Sequence, residues 1–307
     1  MPRIGFLGPL GTFTEQALLS QEDLAEMELV PLTSIPDVLA ATEAGLVDLG
    51  FVPIENAIEG TVNAAIDPLA FEHDLLIQRE VVIGVHLNLM APPGTALADV
   101  TTVVSMPVAT AQVRGWLAAN LPTAVTVAAN STAEAAQQVG RDRATGTAAV
   151  APAVAADLYG LEVLASGIED HPENKTRFLV VATGGTPEAT GHDKTSIVCF
   201  QSADRPGSLL GILQEFAARA LNLTKIESRP TKQSLGEYCF VIDFEGHLAD
   251  DVVADCLREL KAKYDVKFLG SYPAAGEHGE AVRREAAAAW RDADAWLRGL
   301  RGAIRPA

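Results

Sequence analysis

The stretch TRFLVVATGGTPEATG, from Thr176 to Gly191, marks the point where the chain changes its architecture. Its first part, up to Ala182, is an apolar run rich in β-branched residues, which predicts a buried strand. The part from Gly184 onward is rich in glycine and threonine and contains a proline, so it predicts a linker. Because the patterns on the two sides of this stretch differ, we expect two domains of different topology.

Before the linker, short apolar runs alternate with helical patterns. Arg3–Gly8 and Val47–Ile54 predict strands, and Thr12, Ser34 and Ser131 stand where helix N-caps are expected. Strands that alternate with helices favour mostly parallel sheets covered on both faces. We therefore expect residues 1–184 to form an α/β domain of two lobes with a cleft between them.

After the linker, which we place at 185–193, the order of predicted elements is β-α-β-β-α-β. The strands are expected at Ser196–Ser202, Leu223–Lys232, Glu237–Glu245 and Val266–Tyr272, and the helices at Pro206–Leu221 and Asp250–Lys263. This order is typical of the split βαβ, or ferredoxin-like, fold. We assign it residues 194–275 and assign 276–307 to a helical tail. The exposed edge of such a sheet favours pairing with a second copy of the chain.

Composition and charge argue against several classes of protein. The chain has 307 residues, and 48% of them are hydrophobic, which is enough to bury the cores of two domains. A net charge of −17 argues against a nucleic-acid binder and against attachment to anionic membranes. We expect no membrane helix and no signal peptide. The three cysteines lie in apolar patterns, which is typical of a reduced, cytoplasmic protein.

Motifs for the common cofactors are missing from the sequence. It contains no Walker A motif, no Gly-x-Gly-x-x-Gly after the first strand and no Gly-x-Ser-x-Gly elbow. The six histidines lack the spacing of metal ligands. We therefore expect no cofactor and no metal. The hydroxyls, amides, carboxylates and few cations that remain suit chemistry on a small anion.

Three short segments place polar residues at the ends of predicted strands and helices. Gly8–Phe13 forms a turn before a helix, whose exposed N–H groups favour anions. Pro53–Val62 puts Glu55 and Asn56 at the carboxyl end of a strand, where α/β proteins bind ligands. Asn174–Val181 begins a buried strand with two cations beside a hydroxyl. Each segment alone is also typical of an ordinary turn or of an ion-paired strand end.

Together and in this order, the three segments resemble the prephenate dehydratase family. That family shows Gly-Pro-x-Gly-Thr-Phe, a Glu-Asn turn followed by glycine, and Thr-Arg-Phe. The second domain resembles the ACT regulatory module of the same enzymes, with Glu227–Pro230 as Glu-Ser-Arg-Pro and Arg205–Leu209 as the effector loop. The resemblance covers residues 3–275 and implies a catalytic domain like periplasmic binding proteins, followed by an ACT domain. Ala57 and Met106 depart from the family pattern, which usually has serine and histidine there.

The resemblance implies decarboxylative dehydration of prephenate to phenylpyruvate, a step of phenylalanine biosynthesis. Thr176 would donate a hydrogen bond to the leaving hydroxyl, Arg177 would bind a carboxylate and Phe178 would wall the ring. The residues expected to position the substrate are polar: Thr12, Glu55, Asn56, Ser105 and Gln112. Neighbouring strand residues face opposite sides. Thr176 and Arg177 can therefore share a site only if the strand bends, or if Arg177 acts from behind the cleft.

For the ACT domain, the resemblance implies phenylalanine as the effector. The residues expected to bind it lie at a helix start and along one strand: Gly207, Ser208, Leu209, Asn222, Glu227, Ser228 and Arg229. The N–H groups of the helix start would take the carboxylate and Glu227 the ammonium group. In the family this site lies between paired ACT domains, which implies a homodimer or a homotetramer.

Two other functions remain open at this stage. The first is dehydration of arogenate, which carries an amino group where prephenate has a keto group. The second is a non-catalytic amino-acid sensor built from the same two domains. The Thr-Arg-Phe segment favours the enzyme over the sensor, and no single residue separates the two substrates.

Overall fold

In a computed structural model of the chain, the described residues are 1–201, 206–231, 237–275, 292–293 and 295–302. They divide into two compact units. Unit 1 consists of Met1–Pro68 and Val81–Val181, and unit 2 consists of Leu69–Glu80 and the chain from Ala182 onward. Unit 2 therefore includes a short segment from within the predicted catalytic domain.

The elements follow the alternation that the sequence predicts. The strands are β1 (Arg3–Leu7), β2 (Glu28–Leu32), β3 (Leu49–Asn56), β4 (Gly60–Thr61), β5 (Leu76–Gly84), β6 (Asn88–Ala91), β7 (Thr102–Ser105), β8 (Val125–Ala128), β9 (Thr147–Ala151), β10 (Glu162–Ala165), β11 (Lys175–Ala182), β12 (Asp193–Phe200), β13 (Leu223–Pro230), β14 (Tyr238–Glu245) and β15 (Asp265–Pro273). The helices are α1 (Phe13–Leu19), α2 (Glu22–Ala25), α3 (Ile35–Glu43), α4 (Asn63–Phe71), α5 (Pro107–Gln112), α6 (Arg114–Asn120), α7 (Thr132–Asp142), α8 (Val154–Tyr159), α9 (Ser208–Ala217) and α10 (Asp251–Lys263). No helix among these described residues is long and apolar enough to cross a lipid bilayer.

Unit 1 is built on two sheets, which form its two lobes. The first has the order β2-β1-β3-β11-β5 with β4 beside β3, and the second has the order β10-β6-β9-β7-β8. Both sheets are mixed: β11 runs antiparallel to β3, and β6 antiparallel to β9 and β10. The expectation of mostly parallel sheets is therefore wrong. The chain builds the second sheet and then returns to the first through β11, which enters it from the opposite end.

Predicted N-caps position the helices of unit 1. The side chains of Thr12, Ser34 and Ser131 each accept a hydrogen bond from the backbone N–H three residues later. These bonds satisfy donors that the first helical turn leaves unpaired. The apolar faces of these elements then pack into separate cores on the two sheets. The predicted capping positions are confirmed.

Unit 2 contains the predicted βαββαβ fold. Its sheet has the order β13-β14-β12-β15, and every pairing in it is antiparallel. Helices α9 and α10 contribute Ile212, Phe216 and Cys256 to a core with Ile242 and Phe244 of the sheet. The ferredoxin-like order is thus confirmed. Strand β13 lies at an edge of the sheet.

The predicted helical tail lies mostly outside the described residues. Residues 295–302 are helical, and Trp296 among them is 66% exposed. Arg205 of the predicted effector loop and Trp290 of the tail also lie outside the described residues.

We predict that the three thiols react only after unfolding. Cys199, Cys239 and Cys256 are all fully buried. Burial disfavours the thiolate and raises the pKa of Cys199 and of Cys256 to about 12. A disulfide reagent at pH 8 should label the native protein far more slowly than the protein in guanidinium. Fast labelling of the native protein would contradict this burial.

Candidate active site

Strands β3 and β11 bring two of the predicted segments together. Thr176 pairs with Asn56 and Arg177 with Glu55, and the register then shifts so that Phe178 pairs with Pro53. The shift leaves one extra residue in β3, which is a β-bulge. A bulge bends its strand and re-aims the neighbouring side chains. The bulged strand is β3, so this bend re-aims side chains of β3. That Thr176 and Arg177 of β11 share one site stays a prediction.

A hydrogen bond of fixed direction joins Asn56 to Thr176. Oδ1 of Asn56 accepts from the backbone N–H groups of Ile58 and Glu59, at 3.0 Å each. This leaves the Nδ2 group of Asn56 to donate to Oγ1 of Thr176, at 2.9 Å. Because Oγ1 accepts this bond, the hydroxyl proton of Thr176 is available for donation elsewhere. The geometry leaves the hydroxyl proton of Thr176 for an acceptor other than Asn56.

Arg177 lies beside Glu55, the partner opposite it in the sheet. The Nη1 atom of Arg177 is 3.8 Å from Oε2 of Glu55. The arginine side chain is 12% exposed and the glutamate side chain 40% exposed. Glu55 thus offsets the charge of a mostly buried guanidinium, whose planar fork is suited to a carboxylate.

Phe178 belongs to the core of the first sheet. It is 1% exposed and stacks on Phe51, with ring centroids 5.2 Å apart and an interplanar angle of 6°. Its other core neighbours include Phe6 and Leu18. The structure therefore places Phe178 in the core, two residues along β11 from Thr176.

Two residues predicted to bind substrate use their hydroxyls within the fold. The Oγ atom of the fully buried Ser105 donates to the carbonyl of Val150, 2.7 Å away on the neighbouring strand. The Oγ1 atom of Thr12 accepts from the N–H of Glu15 at 3.2 Å and donates to the carbonyl of Leu7 at 3.4 Å. Both hydroxyls hold backbone that leads into the site.

The turn before α1 is held by the side chain of Glu15 from α1 and by that of Tyr159 from α8. The N–H of Gly11 donates to the carboxylate of Glu15, and the hydroxyl of Tyr159 donates to the carbonyl of Leu10 at 2.7 Å. Burial and the charge of Glu15 raise the pKa of Tyr159. The N–H groups of Gly11 and Glu15, expected to be exposed for an anion, are therefore already satisfied. For these two groups the expectation is wrong.

Gln112 of α5 connects the second lobe to the first. Its Nε2 donates to Oε1 of Glu59 at 3.3 Å, and its Oε1 accepts from Nδ2 of Asn174 at 3.2 Å. Neither Glu59 nor Asn174 is among the residues that the motifs predicted for the site. The alternation of a strand could have indicated Asn174, which lies two residues before Thr176, but no spacing in the sequence indicates Glu59.

The two positions that depart from the family pattern have simple surroundings. The backbone N–H of Ala57 donates to the carbonyl of Lys175 at 2.8 Å, and the side chain of Ala57 is exposed. Met106 is the N-cap residue of α5 and makes no side-chain capping bond. Neither departure interrupts the contacts of Thr176 or Arg177 described above.

The predicted effector residues lie on two elements of unit 2. Gly207 caps α9 with a φ of +87°, and Ser208 and Leu209 begin that helix. On β13, the carboxylate of Glu227 lies 3.5 Å from Lys225 and 3.3 Å from Arg229. Ser228 is exposed, and so is Asn222, whose carbonyl accepts from Glu245.

Metal-ligating side chains do not gather in the described part of the chain. No group of three or more His, Cys, Asp or Glu residues there could hold a metal ion. The site around Thr176 consists of hydroxyl, amide, guanidinium and carboxylate groups. The hydroxyl, amide and guanidinium groups among them can orient an anion and donate hydrogen bonds to it.

Comparisons with known proteins identify both parts of the chain. The family profile "Prephenate dehydratase" matches residues 4–186, and the profile "ACT domain" matches residues 195–262. The prephenate dehydratase of Mycolicibacterium vanbaalenii is 43% identical over 316 aligned residues, which cover 98% of this chain and 99% of that protein.

Solved structures share the fold. The prephenate dehydratase of Arthrobacter aurescens in complex with L-Phe superposes with a TM-score of 0.87 and 41% identity, over 97% of this chain and 99% of that one. A protein described as a quorum quenching acylase superposes with a TM-score of 0.81 and 30% identity, over 89% and 98% of the two chains.

Proposed function

Because the chain belongs to the prephenate dehydratase family, we propose that it converts prephenate to phenylpyruvate, carbon dioxide and water. The observation that supports this most directly is the hydrogen bond from Asn56 to Thr176. It presents a hydroxyl proton to the site, and a leaving hydroxyl group needs such a donor.

In this reaction two bonds of the substrate break. The bond between the ring and its carboxylate breaks, and its electron pair moves into the ring as carbon dioxide leaves. The bond between the ring and its hydroxyl breaks, and that oxygen leaves with its electron pair and is protonated to water. The aromatic ring that forms supplies the driving force. The protein therefore has to orient a dianion and stabilise the departing oxygen.

Thr176 and Arg177 have different roles in this reaction. Thr176 donates its proton as a hydrogen bond to the departing oxygen, where negative charge develops. A threonine hydroxyl is a weak acid, so the proton that completes water comes from solvent or a relay. Arg177 binds a substrate carboxylate through its planar fork. Since the chain carries a net charge of −17, these local donors must overcome long-range repulsion of a dianion.

Phenylalanine is the effector that we propose for unit 2. The relative from Arthrobacter aurescens was solved with L-Phe bound. In this chain the start of α9 offers backbone N–H groups to a carboxylate, and Glu227 offers a carboxylate to an ammonium group. An effector of this kind changes turnover only if it binds two states of the enzyme with different affinity.

Pairing of two copies through unit 2 is part of the same proposal. Strand β13 is an edge strand with Ile226 45% exposed, and Leu210 of α9 is 58% exposed. Apolar side chains beside an open strand edge favour association. We therefore expect a homodimer or homotetramer, with cytoplasmic location as the family's biosynthetic role suggests.

The experiment that tests the function is an assay of the purified chain with prephenate and, separately, with arogenate. Formation of phenylpyruvate from prephenate supports the proposal, and turnover of arogenate alone overturns the choice of substrate. A parallel assay for acylase activity covers the activity described for one structural relative. Binding of phenylalanine without any turnover would favour the sensor.

We predict that Glu227→Ala abolishes the response to phenylalanine and leaves basal turnover unchanged. The change removes the carboxylate that would pair with the effector's ammonium group. Turnover is measured across a phenylalanine titration, and Glu259→Ala, at a side chain of α10 that is 43% exposed, serves as the control. Loss of basal turnover in the Glu227 variant would instead mean that this carboxylate supports the fold.

A further inference from the structure

Glu59 lies at the start of two hydrogen-bonded branches that lead to predicted site residues. Its backbone N–H donates to Asn56, which in turn donates to Thr176. Its carboxylate accepts from Gln112, which in turn accepts from Asn174. The first branch leaves the hydroxyl proton of Thr176 for an acceptor other than Asn56. The second branch determines the orientation of the Gln112 amide.

The chemistry of the groups sets the direction of the second branch. An ionised carboxylate only accepts hydrogen bonds, so Glu59 must face the Nε2 group of Gln112. The Oε1 atom of Gln112 then faces Asn174, which must present its Nδ2 group. This assignment leaves Oδ1 of Asn174 as the end of the branch. Consistent with that, no donor among the described residues reaches Oδ1, although Asn174 is only 1% exposed.

The backbone around this branch is held independently of the amide. The N–H of Asp170 donates to the carbonyl of Gln112 at 2.7 Å. The Asp170 carboxylate accepts from the N–H groups of Gly115 and Trp116, at 2.8 and 3.1 Å. These bonds join the segment before β11 to the junction of α5 and α6. The side-chain amide of Gln112 can therefore invert without a change in the position of its backbone.

We propose that Glu59 and Asn174 are positioning residues that hold the Gln112 amide in one orientation, with its second N–H turned toward the substrate. Glu59 takes one hydrogen of Nε2 and Asn174 takes Oε1, so one donor of the half-buried Gln112 is left for a ligand. A donor at this position suits the carboxylate and keto oxygens of a prephenate-like dianion and opposes an ammonium group. The inference rests on the proposed function and deepens it.

The test reverses the donor and acceptor directions of the second branch by a substitution at Glu59, its exposed end. Lysine only donates, so in Glu59→Lys the Oε1 atom of Gln112 should turn toward residue 59. Its Nε2 group should turn toward Asn174, whose amide must also turn over so that Oδ1 accepts the bond. One atom of the Asn174 amide then lacks a partner, as Oδ1 does among the described residues of the wild type, but the free N–H of Gln112 moves to the other side of its amide. We expect kcat/KM for prephenate to fall about 10- to 100-fold with an unchanged thermal midpoint.

Two single variants distinguish the effect of the Gln112 amide orientation from the effect of the charge introduced at position 59. Glu59→Gln removes the charge but can still accept, so we expect at most about a 3-fold loss. Glu173→Lys makes the same charge change as Glu59→Lys. Glu173 is next to Asn174 in the sequence, and its exposed side chain lies outside the branch. This variant should leave kcat/KM within about 3-fold. A cation alone should favour binding of a dianion, so charge cannot account for a loss in Glu59→Lys.

Asn174 is tested by a change of one atom. Asn174→Asp places acceptors on both sides of Gln112, which should lower both the thermal midpoint and kcat/KM. When Glu59→Lys is added to Asn174→Asp, each side of the Gln112 amide again faces a complementary group. The introduced lysine donates to Oε1, and the introduced aspartate accepts from Nε2. The double variant should therefore regain the thermal midpoint while kcat/KM stays at the level of Glu59→Lys.

The orientation of the amide also has a readout that does not depend on turnover. The side-chain amide NMR signals of Gln112 should shift between the wild type and Glu59→Lys. If the wild type turns prephenate over but Glu59→Lys matches the Glu173→Lys control, the inference fails. Unchanged Gln112 signals in Glu59→Lys overturn it as well. If the wild type does not turn prephenate over, the proposed function fails, and the NMR signals still decide the orientation.

Discussion

Thr176→Ala is expected to lower kcat by about 10²- to 10³-fold, with little change in KM or in the folded structure. In the proposed mechanism the hydroxyl donates to the substrate, because Oγ1 already accepts the 2.9 Å bond from Asn56. The hydrogen bond from this hydroxyl becomes strong only as negative charge develops on the departing oxygen. Removal of the hydroxyl should therefore raise the free energy of the transition state more than that of the bound substrate. Steady-state kinetics with prephenate measure the effect, and circular dichroism checks the fold.

Two further variants show whether the hydroxyl and its direction are what matters. Thr176→Ser keeps the hydroxyl and the bond from Asn56, so kcat should stay within about 10-fold of the wild type. Asn56→Asp replaces the donor with an acceptor, so Thr176 must donate to residue 56 and its proton is withdrawn from the substrate. We expect this variant to be as impaired as Thr176→Ala. Full activity of Thr176→Ala would remove the hydroxyl from the mechanism.

Phe178→Ala is expected to reduce the free energy of unfolding by about 3–5 kcal/mol. The ring is 1% exposed and stacked on Phe51, so its loss leaves a cavity in the core of the first sheet. The effect is measured by urea denaturation of the full chain. Phe200→Ala, at a half-buried ring of unit 2, should reduce the free energy of unfolding by less than Phe178→Ala does.

Phe178→Leu separates a core role from contact with the substrate. Leucine keeps most of the apolar volume, so the loss of stability should be about 1–1.5 kcal/mol. If the ring serves the core, KM for prephenate in this variant should match the wild type. A leucine variant with wild-type stability and a KM raised 10-fold or more would place the ring against the substrate.

Local patterns in the sequence determined much of the fold. The alternation of apolar runs with helical stretches predicted the α/β part, and the order after the linker predicted the ferredoxin-like part. The N-caps at Thr12, Ser34 and Ser131 were predictable because a capping bond joins residues only three apart. Signals of this kind depend on neighbouring residues, so a single chain carries them in full.

The motifs of the sequence also pointed to residues that the structure brings together in the candidate site. Asn56 and Thr176 stand at the ends of strands, where sheets present side chains to ligands, and the structure joins them directly. Gln112 is likewise within the same hydrogen-bonded system. What the motifs could not give was the donor or acceptor role of each group.

Tertiary structure alone decided those roles, because they depend on contacts between distant parts of the chain. Asn56 and Thr176 are 120 residues apart, and the direction of their bond follows from two backbone N–H groups beyond Asn56. The bulge in β3 and the antiparallel entry of β11 are properties of strand pairing. Ser105 and Phe178 turned inward because neighbouring strands and rings surround them. Sequence periodicity determines which face a side chain takes, and packing determines what it meets there.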